Sequence, residues 1–275
     1  YENAGKLDRA LPLHEEALRL RKAHLGDDHP DTLASMYSLA KTYWSAGKLD
    51  RSGLLLERLV QLSEAKLGRD HPEVIMYIAS LGVNYKDSGR IDQALPLLEE
   101  AYEGSKKHPM LRGVDVPLVD AYLKTGRAAE TQKAGEVLIE VRKTLPPDSP
   151  ELAGKLAMYG LAMLKAKAYK EAEPLLRECL TIREKNMPDD WLLFNTKAML
   201  GGALLGQKKY TEAEPLLLAG YAGMVQREET IPPRGRIYVI QSLEHLVTFY
   251  EERKADGDAA KAAKYKKLLE ARRSK

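Results

Sequence analysis

The sequence holds a single cysteine, Cys179, in 275 residues. One thiol excludes an internal disulfide framework, and it makes a reducing, cytoplasmic setting the default expectation, with a tail beyond a membrane anchor as the other placement. Apolar runs are short: no stretch reaches the roughly 18 consecutive apolar residues that a membrane-spanning helix needs. No signal peptide is visible. Phe and Trp contribute two residues each, against 14 Tyr. Ala and Leu dominate instead, which favours helix over sheet. Net charge is only +3, but it is uneven, with nine Lys or Arg against three Asp or Glu between Arg253 and Lys275. Such a run reads first as the solvated outer face of a terminal helix.

What is present is a soluble globular mix, 44% hydrophobic and 30% charged, and an internal period. Gly5-Lys6-Leu7-Asp8-Arg9-Ala10-Leu11-Pro12 returns as Gly89-Arg90-Ile91-Asp92-Gln93-Ala94-Leu95-Pro96, with Gly47-Lys48-Leu49-Asp50-Arg51-Ser52 between them. Later copies are Lys167-Ala168-Tyr169-Lys170-Glu171-Ala172-Glu173-Pro174 and Lys208-Lys209-Tyr210-Thr211-Glu212-Ala213-Glu214-Pro215. Worn copies begin at Gly126 and Gly257, so successive spacings are 42, 42, 37, 41, 41 and 49.

Each copy reads as a tight turn between two helices. The Gly or Lys supplies a left-handed residue at a helix C-terminus. Asp, Lys or Thr is expected at or near the next N-cap. Small Ala lets the two helices approach, and Pro is expected in about the first turn of the second helix. Leu39, Ala40 and Tyr43 precede Gly47, and Leu81, Gly82 and Tyr85 precede Gly89. Tyr159, Gly160 and Met163 precede Lys167, and Leu200, Gly201 and Leu204 precede Lys208. This i, i+1, i+4 stripe is helical. A second loop, Gly26-Asp27-Asp28-His29-Pro30, recurs as Gly68-Arg69-Asp70-His71-Pro72 and, worn, as Asp148-Ser149-Pro150. There Gly stops the longer helix and Pro opens the next.

These residues resemble the tetratricopeptide repeat, in the long form of kinesin light chains, over nearly the whole chain. The stretch Asn195 to Gly235, carried by Met199 to Tyr210 and the loop Glu228 to Pro233, also resembles the C-terminal tail of bacterial serine/threonine protein kinases. The resemblance implies an all-α fold, a right-handed α-solenoid of antiparallel helix pairs with about twelve or thirteen helices and no sheet. It divides the chain into a half-repeat 1–30, repeats 31–72, 73–111, 112–150, 151–191 and 192–235, and a capping pair 236–275. It implies a non-catalytic scaffold for a protein or peptide, or in the alternative a self-assembly module that forms homodimers through exposed helix ends. No cofactor, metal, nucleic acid or membrane is called for. The paired Asn residues that clamp a peptide backbone in kinesin light chains are replaced here by Tyr37-Ser38, Ala79-Ser80, Ala157-Met158 and Ala198-Met199.

Other chemistry is thin. The Gly-x-x-x-x-Gly of Gly201 to Gly206 lacks the Lys and Ser or Thr of a phosphate loop. His29 and His71 stand one per repeat and read as a repeated capping loop rather than metal ligands. Cys179 reads as a small buried thiol, and Lys264-Tyr265-Lys266-Lys267 as part of a capping helix.

Ligand contacts are expected on the first helices, away from the packing stripe: Tyr37, Lys41 and Trp44, then Val83, Lys86 and Asp87, then Met158, Leu161 and Leu164, then Asn195, Met199 and Leu205. In the final pair this face turns polar, with Gln241, Glu244, His245 and Glu251. Met158, Leu161, Leu164, Met199 and Leu205 are expected to be partly exposed around one cavity; the competing reading is that some of them are core, which periodicity does not resolve.

Three local expectations follow. Tyr1 stands before Gly5 as Tyr43 stands before Gly47, which places residue 1 in the last turn of a first helix with an upstream part absent. Leu11, Leu18 and Leu25 of the half-repeat are expected to meet water or a neighbouring molecule. Pro117 predicts a shortened or kinked first helix beginning near Val116.

Overall fold

The computed structural model describes residues 7–108, 110–111 and 113–273. Tyr1 and Gly5 lie outside the described residues. The described residues form thirteen α-helices and no strand. They are α1 (Leu7–Leu25), α2 (Pro30–Ser45), α3 (Leu49–Leu67), α4 (Pro72–Asp87), α5 (Ile91–Lys107), α6 (Asp115–Lys124), α7 (Ala128–Thr144), α8 (Pro150–Lys165), α9 (Tyr169–Asn186), α10 (Trp191–Gly206), α11 (Tyr210–Gln226), α12 (Ile237–Arg253) and α13 (Asp258–Arg273). Two short 3-10 turns, Glu228–Thr230 and Pro233–Gly235, precede α12. Contacts gather into two compact units, residues 1–134 and 135–275, so the division falls within α7. The repeat period carries no signal for that division.

Four of the turns between paired helices close in one way. Gly47, Gly89, Lys167 and Lys208 have φ of 71°, 80°, 58° and 60°, the left-handed conformation that the turn motif calls for. The following N–H reaches back five residues, from Lys48, Arg90, Ala168 and Lys209 to the carbonyls of Tyr43, Tyr85, Met163 and Leu204, at 2.8–2.9 Å. This is the Schellman arrangement. The residue that closes it is also the N-cap of the next helix, and it makes no side-chain cap bond. Lys48, Arg90, Ala168 and Lys209 have no side-chain acceptor to offer; the expected Asp, Lys or Thr stands two residues on, near the cap, and Asp50, Asp92, Glu171 and Glu212 add negative charge in the first turn.

The prolines need a correction. Pro96, Pro174 and Pro215 each occupy the sixth position of their helix, not the first turn. Each removes the bond to a carbonyl four residues earlier, at Asp92, Lys170 or Thr211. Those residues are exposed, so the freed carbonyls face water.

The other loops are capped by side chains. His29 Nδ1 accepts from the Asp31 N–H and His71 Nδ1 from the Glu73 N–H, while Ser149 and Asp190 accept from Leu152 and Leu192. Pro30, Pro72 and Pro150 follow at the first helical position. The two histidines thus serve as helix caps.

Within a pair, a small residue on the first helix receives a leucine 16 positions later. A methyl group placed on Gly82, Gly160 or Gly201 would stand 2.8, 2.6 or 2.7 Å from the side chain of Leu98, Leu176 or Leu217. All three leucines have no exposed surface. Between pairs, a carboxylate on the second helix holds the next first helix. Tyr43, Tyr85 and Tyr122 donate to Glu15, Glu57 and Glu99 at 2.6, 2.7 and 2.6 Å, and Tyr250 donates to Glu214 at 3.0 Å. Glu173 accepts from Lys209 and Gln207 in the next turn, each at 2.8 Å, and from Arg177.

The half-repeat differs from expectation. Leu11 and Leu18 are buried, at 8% and 7% exposure, because their face of α1 packs on α2. The uncovered face carries Leu13 and Leu20, which are 56% and 41% exposed, and Leu25 is exposed as expected. The helix α6 is shortened as Pro117 predicts: it has ten residues, and Pro117 is the third of them.

Two predictions follow from these turns and links. Lys167→Gly and Lys208→Gly should each raise stability by about 0.5–1 kcal/mol, read by thermal unfolding, because an L-residue is disfavoured at positive φ; an unchanged or lowered melting temperature contradicts the turn assignment. Burial pushes the Glu173 carboxyl upward, but hydrogen bonds from Lys209, Arg177 and Gln207 outweigh it and hold the group at about 2. A depressed folded-state pKa contributes stability above the ordinary carboxylate range and loses it as pH falls through about 2. The acid limb of stability between pH 4.5 and 2 should flatten in Glu173→Gln, measured by denaturant titration at stepped pH.

Candidate binding faces on the first helices

In the first unit a cavity of about 410 Å³ opens between α2 and α4, with α3 beneath and the α5–α6 connection at its edge. Tyr37, Lys41, Trp44 and Val83 line it, as expected from the sequence. Met76 and Ala79 of α4, Leu111 and Val114 of the α5–α6 connection and Pro117 of α6 line it as well; Leu111 and Val114 were missed because that connection carries no periodic signal. The Tyr37 ring lies 5.1 Å from that of Tyr77, and its hydroxyl is 3.3 Å from Ser80 Oγ. Lys41 Nζ stands 5.8 Å from the Tyr37 ring. Trp44 donates from Nε1 to Asp87 at 2.9 Å and remains 45% exposed.

Lys86 does not line this cavity. Its ammonium contacts Asp120 at 2.5 Å and Asp87 at 3.0 Å. Burial lowers its pKa, and the hydrogen bonds and charges of these two carboxylates more than reverse that, so the net shift is upward. The residue is a fixed cation within an ion-pair cluster rather than a free groove lysine.

In the second unit, α8, α10 and α12 enclose a smaller cavity of about 250 Å³. Leu161, Leu164, Asn195 and Met199 line it, with Lys165, Tyr238, Gln241, Glu244 and His245. Asn195 and Met199 reach it through little surface, being 6% and 5% exposed. Met158 is 48% exposed and lines neither cavity. Leu205 is corrected to core, with 4% exposure. The cause is the packing of α10, which touches α8, α9, α11 and α12 and is buried at every residue from Ala198 to Leu205. Along that stretch the helix is apolar all round, and Leu205 is buried with the rest. Gly201 and Gly206 belong to this helix and pack on Leu217 and Tyr169, so the Gly-x-x-x-x-Gly stretch forms no loop.

The ionisable groups with the largest shifts stand in the links between helices. Burial, then Glu57, pushes the Tyr85 hydroxyl up to about 12. Cys179 is fully buried, its Sγ 3.1 Å from the Ala153 carbonyl, and burial pushes the thiol up. Arg183 is buried beside it and donates to the Leu192 carbonyl at 2.7 Å, which ties down the start of α10. His245 is pushed down by burial and packs on Gly202. No described helix is long and apolar enough to cross a membrane.

Among solved structures, the chain is similar to the C-terminal part of a TPR repeat-containing protein from Cytophaga hutchinsonii, with 14% identity over 97% of this chain and 93% of that one, at a TM-score of 0.51. BtubC (BKLC) from P. vanneervenii aligns with 14% identity over 98% and 91% of the two chains, at a TM-score of 0.49. A Podosopora anserina kinesin light chain candidate with nearly identical TPR-like repeats aligns with 21% identity over 82% and 90%, also at 0.49. Among curated proteins none matches the chain. Residues 1–58 and 158–190 match models of the tetratricopeptide repeat. A stretch of each unit thus carries tetratricopeptide repeats, and four helix pairs across the two units share one turn geometry.

Proposed function

We propose that this chain is a non-catalytic scaffold that binds a protein or peptide, and that the first unit's cavity takes an apolar segment of that partner. The observation that carries the reading is the lining of this cavity. Most of its wall is aliphatic, with Met76, Leu111, Val114 and Val83 beside a half-exposed Trp44. Such a concave, mostly apolar site with a few polar groups is the usual form of a ligand site, and methionine adapts its shape to varied partners. The absence of catalysis is supported by where the unusual groups lie: the thiol is sealed, and the shifted carboxylates are committed to links between helices. The likeness of Asn195 to Gly235 to kinase tails supports a place as the interaction tail of a larger protein, such as a bacterial serine/threonine kinase.

Trp44 makes the reading testable. In a Trp191→Phe background it is the sole tryptophan. Peptides with leucine or phenylalanine anchors, screened as a defined panel, should shift its emission saturably. Ala79→Arg, which places a cation in the half-buried cavity wall, should weaken that binding about tenfold or more with the fold retained, checked by thermal unfolding. Panel-wide failure to shift Trp44, or equal binding by Ala79→Arg, would remove the site.

A second reading, self-assembly, is favoured by the uncovered face of α1. Leu13 and Leu20 are seven residues apart on one side of a helix and are both exposed. If that face joins two copies, light scattering of the wild-type chain should give twice the mass found for Leu13→Lys/Leu20→Lys. Equal masses would leave the scaffold reading alone.

A further inference from the structure

The first unit's cavity holds one charge, and nothing in the described chain neutralises it. Among the described residues of the lining, Lys41 is the only charged one. It is exposed, it stands 5.8 Å from the Tyr37 ring, and it makes no ion pair among the described residues. The other polar side chains of the wall offer donors, and most of these are committed. Trp44 Nε1 donates to Asp87, Ser52 Oγ to the Ala40 carbonyl and Ser80 Oγ to the Met76 carbonyl, each at 2.9 Å. The Tyr37 hydroxyl meets Ser80 Oγ at 3.3 Å, longer than a good O–H···O bond. Tyr37 and Lys41 stand one turn apart on α2, so the two donors still available lie on one side of the cavity. The rest of the wall is largely aliphatic, from Leu56, Met76, Val83, Leu111 and Val114. No described carboxylate lines it, and the nearby Asp87 is held by Trp44 and Lys86.

We propose that this cavity binds a medium-chain fatty acid anion, with the alkyl chain against the aliphatic wall and the carboxylate on Lys41 and the Tyr37 hydroxyl. Charge selects the head group. A carboxylate gains a charge-assisted hydrogen bond from Lys41. A neutral head group leaves the ammonium unmatched, and a cationic one meets a like charge. Space selects the tail. At about 410 Å³ the cavity has the size of a small-molecule site, and each methylene that it takes from water tightens binding about threefold to fourfold. The ligand is a small molecule and so goes beyond the scaffold reading above. It rests on that reading in one respect: a fatty acid seated here competes with the partner's apolar segment.

The probes are the straight-chain carboxylates from hexanoate to decanoate, each below its micelle concentration. Decanol and decyltrimethylammonium share the tail of decanoate and differ in the head group. Binding to the full chain is read from the Met76 methyl signal in ¹H–¹³C spectra of protein labelled at its methionine methyls. Met224, fully buried in the second unit, is the signal that should stay in place. The Met76 signal should move saturably, and affinity should rise about threefold to fourfold per methylene along the series. Decanol and decyltrimethylammonium should bind about fivefold more weakly than decanoate or worse, the effect of an unmatched exposed charge. Lys41→Met should cost decanoate a similar factor while decanol binding and the melting temperature stay unchanged, since Lys41 holds no ion pair in the fold. Four results overturn the proposal: binding of either control as tight as that of decanoate, which marks an apolar cleft without a head-group site; affinity independent of chain length, which marks a surface anion only; Met224 moving together with Met76, which marks detergent-like unfolding; or no saturable movement of Met76. A chain whose Met76 answers the leucine and phenylalanine peptides but not decanoate keeps the scaffold reading and loses this one, and the reverse result keeps this one alone.

Discussion

The close approach of two helices within each pair is the constraint on which the rest depends. Gly82, Gly160 and Gly201 have no side chain because Leu98, Leu176 and Leu217 occupy that space. Any larger residue would force the helices apart or push a fully buried leucine from its rotamer. Once this contact is set, the turn joining the pair has one workable geometry. Its left-handed residue and its five-residue hydrogen bond then fix where the second helix begins. The links between pairs build on that register. Glu15, Glu57 and Glu99 can meet Tyr43, Tyr85 and Tyr122 only because each second helix starts at a defined place. The first-helix faces that line both cavities are a product of the same register, since the stripe turned toward the leucine leaves the opposite side outward.

Much of this was legible in the sequence. The turn residues were readable because a positive φ selects for Gly, and because the motif persists where Lys stands in its place. The His-Pro loops were readable as caps because they recur at the repeat spacing. The proline position was misread by a turn, since exposed helix carbonyls tolerate a missing donor and the sequence pattern does not reveal which carbonyls are exposed. The paired turns carry no side-chain caps because Lys, Arg or Ala stands at the N-cap and has no acceptor to offer.

The candidate sites were legible in part. Tyr37, Lys41, Trp44 and Val83 do line one cavity, because α2 and α4 turn the same first-helix face toward it. Leu205 failed because α10 is enclosed by four helices, and a period of 3.6 does not say how many neighbours a helix has. Lys86 failed because its partner Asp120 lies 34 residues away, on α6. The α5–α6 connection, which supplies Leu111 and Val114 to the first cavity, has no periodicity to read.

The enclosure of α10 also bears on biosynthesis. Its 16 residues, Trp191 to Gly206, contain no acidic side chain and one lysine, and the segment is too short to span a bilayer of about 30 Å at 1.5 Å per residue. As the chain emerges from the ribosome, α8 and α9 are already present, whereas α11 and α12 are not. At about 5–20 residues per second, several seconds pass before Arg253 completes the last covering helix. For that interval a sticky apolar helix stands partly bare, which makes it the segment of this chain with most to gain from a chaperone.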